Sequence, residues 1–119
     1  MQLYNTLSAE ERAELIDQAG KQRLTLSFYA YAKIEDPKQF RDNLFVAWNQ
    51  LDALGRTYVA KEGINAQMSV PAEKFEAFRD TLEAYDFMKD IRLNVAVEHD
   101  DHSFLKLTVK VRDKIVADG

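Results

Sequence analysis

Two sets of residues in this chain carry side chains suited to chemistry or binding. The first is His99-Asp100-Asp101-His102, which joins imidazole to carboxylate, a common ligand set for a divalent metal. Its spacing matches no diagnostic metal motif, and charged residues in a turn between strands ordinarily face water, so solvation is the favoured reading. The second set is dispersed: Tyr29, Tyr31, Lys33, Asn65, Gln67, Arg92, Asn94, Lys106, Lys110 and Arg112. Aromatic rings that stack unpaired bases, interleaved with cations that neutralise phosphates, are what a sheet needs to hold RNA. A solvated strand face is the plainer alternative, since β-propensity alone favours tyrosine and threonine there.

Other chemistry is excluded or unsupported. There is no cysteine, which removes disulfides, thiolate metal sites and a cysteine nucleophile. No GxGxxG, P-loop, HExxH or nucleophile-elbow motif occurs. The acid pairs Glu10-Glu11 and Asp100-Asp101 lack any sign of the cleft that general acid–base work requires. The chain alone is therefore expected to be non-catalytic and to hold no cofactor and no metal.

For the dispersed residues to act together, an alternating strand pattern must bring them to one face. Leu24, Leu26, Phe28, Ala30 and Ala32 alternate with Thr25, Ser27, Tyr29, Tyr31 and Lys33, the signature of a half-buried strand. Ile64, Ala66, Met68 and Val70 alternate with Asn65, Gln67 and Ser69 in the same way. A further strand is expected over about Ile91 to Val97, with Arg92 and Asn94 outward. The last, about Phe104 to Arg112, buries Leu105, Leu107, Val109 and Val111 and turns Lys106, Thr108, Lys110 and Arg112 to the other side. Glu62-Gly63 marks a hairpin whose glycine supplies positive φ.

Helices intervene. Ser8-Ala9-Glu10-Glu11 reads as a capping box that starts a short helix ending near Ala19, with so few apolar residues that loose attachment is expected. Asp36-Pro37 caps a second helix, whose stripe Phe40, Leu44, Ala47, Trp48, Leu51 and Leu54 predicts continuation to Gly55. A third follows Pro71, with Phe75, Phe78, Leu82 and Tyr85 on one side. Strand, helix, strand, strand, helix, strand is the split βαβ order: an α+β, ferredoxin-like antiparallel sheet with two helices on one face, an N-terminal helix and an extra C-terminal strand. Residues 1–23 form the helical extension and 24–119 the ferredoxin-like domain in this reading.

With 119 residues, 46% of them hydrophobic, the chain suits one domain with its own core. The net charge of −4 argues against a uniform coat on nucleic acid or anionic membrane and leaves room only for a local basic face. No apolar run approaches the roughly 20 residues that cross a bilayer, and the start lacks a basic, then apolar, leader. A soluble, cytoplasmic chain without membrane contact is expected.

Four stretches go further. Leu26-Ser27-Phe28-Tyr29-Ala30-Tyr31, Gly55-Arg56-Thr57-Tyr58-Val59-Ala60, Glu62-Gly63-Ile64-Asn65-Ala66-Gln67 and Lys110 to Gly119 strongly resemble the N-terminal domain of the rhodanese-like tRNA uridine hydroxylase family. The resemblance implies an acylphosphatase-like or ferredoxin-like domain, followed in the parent enzyme by a rhodanese domain that bears the reactive cysteine. It also implies a parent that uses molecular oxygen to hydroxylate the wobble uridine of certain tRNAs. The chain stops before that cysteine, so no catalytic residue carries over. Acyl phosphate hydrolysis is not expected either, because Lys33-Ile34-Glu35-Asp36 has no glycine-rich anion cradle. Two roles remain open: binding tRNA for the catalytic domain, or packing on that domain or a second copy of the protein. Small-ligand sensing on the sheet ranks last.

Overall fold

The computed structural model describes residues 8–19, 22–97 and 104–114. The His99 to His102 motif and the last residues of the resembling C-terminal stretch lie outside them. Helix α1 covers Ala9–Ala19. Ser8 Oγ accepts from the Glu11 amide while the Glu11 carboxylate accepts from the Ser8 amide, both at 3.1 Å, so the capping box forms. The expected loose attachment is not found: Leu15 and Ala19, one turn apart on one side of α1, are buried within the core. Arg12 Nε adds an ion pair to Glu76 at 2.7 Å.

Strand β1 (Arg23–Tyr31) alternates as its sequence predicts, with Leu24, Leu26 and Phe28 buried. Helix α2 (Pro37–Asn49) starts where Asp36 Oδ1 accepts from the Gln39 amide at 3.1 Å. It stops earlier than its apolar stripe suggests. Asp52 adopts φ 56 in the left-handed region, and Leu54 already opens β2 (Leu54–Ala60). Gly55 is thus a strand residue, at φ 127, and not the helix stop. A Cβ there would lie 2.2 Å from the Gln67 carbonyl oxygen.

Lys61 and Glu62 form the two-residue loop to β3 (Gly63–Pro71). A single 3-10 turn over Ala72–Lys74 then leads into α3 (Phe75–Glu83). Strand β4 is only Asn94–Val97; Ile91 and Leu93 pack on the core without joining the ladder. The final strand among the described residues, β5, is Leu107–Val111.

The sheet order is β4-β1-β3-β2-β5. Each adjacent pair among its first four strands is antiparallel, as the split βαβ order requires. β5 runs parallel to β2, so the sheet is mixed and not wholly antiparallel. The directions follow from the pairings: β4 is antiparallel to β1, β1 to β3 and β3 to β2, so β4 and β2 run in opposite directions. β5, running opposite to β4, therefore lies along β2.

α2 and α3 cover one face. Trp48 sits 5.2 Å from Phe78 between centroids and meets Phe28 edge-on at 6.5 Å, which ties both helices to β1. Beneath them lie Val59, Ile64, Met68, Val70 and Val95, all fully buried. The buried Thr57 hydroxyl finds Met68 Sδ at 3.2 Å, so that polar group is not orphaned. β5 departs from its expected burial at both ends. Leu107, Val109 and Val111 do take the inner side, opposite Gly55, Thr57 and Val59, yet only Val109 is buried. Leu105 precedes the strand and is 83% exposed, and Val111 is 39% exposed at the sheet's edge.

Candidate functional site

The face opposite α2 and α3 is built by register. Directly paired residues on neighbouring strands point to the same side. Lys110, Tyr58, Asn65 and Tyr29 therefore form one row across β5, β2, β3 and β1. Thr108, Arg56, Gln67, Ser27 and Asn94 form the next, spanning all five strands. Arg56 and Tyr58 are not legible from the strand pattern alone. β2 alternates Gly55, Thr57 and Val59 against Arg56, Tyr58 and Ala60, too weak a contrast to sort the strand alone. The signal that finds them is the two-residue loop, which sets Ala60 opposite Gly63 and hence Tyr58 opposite Asn65.

Tyr29 and Tyr31 are the most exposed aromatics of this face, at 64% and 63%, with rings 6.1 Å apart and nearly perpendicular. Both offer bare π-surface. Arg112 folds back over Tyr58, its guanidinium carbon 4.8 Å from the ring centroid. Arg56, Tyr58, Asn65 and Gln67 line a shallow recess of about 230 Å³. No strand position on this face is acidic among the described residues, although the whole chain carries an excess of acid. Arg23, also on this side, is spent on the scaffold: it donates to the Ser69 hydroxyl at 2.7 Å and to the Asp52 carbonyl at 2.5 Å.

Of the residues expected here, Tyr29, Tyr31, Asn65, Gln67, Asn94 and Lys110 occupy the face, and Arg112 joins it through Tyr58. Lys33 lies just past β1 and Arg92 before β4, both exposed and outside the ladder. Lys106 precedes β5, where alternation no longer governs it, and lines a separate cleft with Arg23, Phe45 and Asp52. Asp52 Oδ2 accepts from Lys74 Nζ at 2.6 Å. That hydrogen bond, then the lysine's charge, holds the Asp52 carboxyl below the usual aspartate range.

Chemically, the open face provides stacking surface, amides that both donate and accept, and cations, which suits binding more than bond-making. Among the described residues no group of three His, Asp or Glu could hold a metal, and no helix is long and apolar enough to cross a membrane.

Comparison with known proteins gives the fold its lineage. Residues 23–115 match the family described as the UPF0176 acylphosphatase-like domain. The protein named tRNA uridine(34) hydroxylase from Pectobacterium carotovorum is 48% identical over 98% of this chain, and its counterpart from Hamiltonella defensa is 46% identical over 98%. That from Leptospira interrogans is 43% identical, again over 98%. The chain spans about a third of the length of these relatives (33%, 33% and 32%). A crystal structure of full-length HypF in the phosphate- and nucleotide-bound form superposes with a TM-score of 0.48 at 13% identity, over 80% of this chain and 13% of that one. By the family match and these relatives together, the chain belongs to the UPF0176 family as its acylphosphatase-like N-terminal domain, the domain it shares with proteins named tRNA uridine(34) hydroxylase.

Proposed function

We propose that this domain holds tRNA for a parent tRNA uridine hydroxylase, with the open sheet face as the contact surface. The observation that carries this reading is the acid-free face itself. It offers two exposed tyrosines, a row ending in Lys110 and an arginine stacked on Tyr58, within a chain of net charge −4. Stacking on exposed rings tolerates any base, and local cations draw phosphate even to an acidic protein. The relatives' name supplies tRNA as the substrate class. With no cysteine in this chain, the oxidative chemistry is assigned to the rhodanese domain that the family resemblance implies, working in the cytoplasm where tRNA is modified.

The test is a titration of the domain with tRNA across salt concentrations. Binding that weakens as salt rises, and weakens further in Tyr29→Ala/Tyr31→Ala, supports the reading, since each base–aromatic stack is worth about 1–3 kcal/mol. Absence of binding at low salt refutes it. Absence of binding together with self-association, or with capture of the rhodanese domain supplied in trans, makes the face a protein-docking surface instead.

A further inference from the structure

Beside the open face, around the edge of β5, lies a cleft of about 650 Å³ lined by Lys38, Arg41 and Asp42 of α2 and by Val109 to Arg112. It therefore gathers four cations and one acid. Arg41 is anchored there: its Nε donates to the Val109 carbonyl at 2.9 Å and its Nη1 pairs with Asp42 at 2.6 Å. The Lys38 and Lys110 side chains have no such engagement among the described residues, and the Arg112 guanidinium only its stacking on Tyr58. The acids at the head of α2 do not cancel this charge: neither Glu35 nor Asp36 lines the cleft, and Asp36 is occupied in capping the helix.

Lys110 and Arg112 belong to both surfaces. Lys110 ends the row that begins at Tyr29, and Arg112 covers Tyr58 in the middle of that row while also lining the cleft. Four strands at 4.7–4.9 Å spacing make the row about 14 Å long, and it leads over the sheet's edge into the cationic groove. We propose that the α2–β5 cleft is a phosphate-binding site for the RNA strand whose bases lie on the open face. Lys38 and Arg41 then contact the backbone after it passes β5. The inference rests on the functional reading above and extends it to residues on a helix that take no part in the face.

Lys38→Glu tests it, because a carboxylate in the first turn of α2 suits the helix dipole and leaves the fold intact. Lys89→Glu is the control: it makes the same charge change at an exposed position outside the cleft. A dye-labelled oligouridylate is titrated against each protein over a range of salt, with unfolding midpoints as the check on folding. Lys38→Glu is expected to bind on the order of fivefold more weakly at low salt, with a salt slope shallower by about 0.7, while Lys89→Glu follows the wild type. Equal binding by Lys38→Glu and Lys89→Glu overturns the cleft. If Tyr29→Ala/Tyr31→Ala still weakens binding in that case, the open-face reading stands alone. No binding by the wild-type protein removes both.

Discussion

A Cβ placed on Gly63 would lie 2.0 Å from the carbonyl oxygen of Ala30 on the neighbouring strand. Gly63 also has φ 148, so both its backbone conformation and the space around it demand glycine. The clash comes from β1 and not from the hairpin loop. β3 lies between β1 and β2, with Gly63 opposite Tyr31 on one side and Ala60 on the other. Gly63→Val should therefore cost on the order of 2–4 kcal/mol, strain and overpacking together. A urea unfolding midpoint equal to that of the wild type contradicts this.

Leu15→Ala should destabilise the whole domain by about 2–4 kcal/mol, the usual cost of truncating a buried leucine. Only 2% of Leu15 is exposed, and it belongs to the same core as the sheet. If α1 unfolds in a separate, earlier transition, with the main midpoint unmoved, the helix is not part of that cooperative unit.

Thr81→Val should cost about 1–3 kcal/mol, since it leaves the buried Trp48 indole N–H without its acceptor at 2.9 Å. Trp48 is the chain's single tryptophan, so its fluorescence reports on the core directly. Native emission should be blue-shifted and resist quenching by iodide, and the variant should lose that protection at lower urea.

Asp52 links the domain's stability to acid. Its folded pKa is depressed by the hydrogen bond from Lys74 and by that lysine's charge. The stabilisation is therefore present above the unfolded value of about 3.9 and disappears as pH falls through the lower folded pKa. Asp52→Asn should separate from the wild type above about pH 4 and converge with it below, in midpoints measured across pH. A constant gap down to pH 2 means that the amide costs stability for some other reason.

How far the fold could be read from sequence depended on whether the information was local. The capping box at Ser8, the Asp36 cap and the alternation of β1 are all set by neighbours within a few residues and formed as read, while β3 alternates as far as Met68 and then buries Ser69 as well, under Arg23. The end of α2 misled because Leu51 and Leu54 continue a helical stripe that Asp52's left-handed backbone interrupts. Leu105 misled because alternation says which side a strand residue takes but not where the strand begins. Arg56, Tyr58 and the Lys38 and Arg41 side of the cleft depend on partners distant in sequence, which only register and helix packing reveal.

The parallel pairing of β5 with β2 also dictates an order of events during synthesis. β2 is made early, yet its outer edge, from Gly55 to Val59, finds its partner only when Leu107 to Val111 has been translated. Until then the nascent sheet offers a row of unpaired amides and carbonyls, the kind of edge that recruits strands from other chains. Because Arg41 bonds the Val109 carbonyl, arrival of β5 also locks α2 against the sheet. The last strand thus closes a window of aggregation risk that stays open for half the length of the domain's translation.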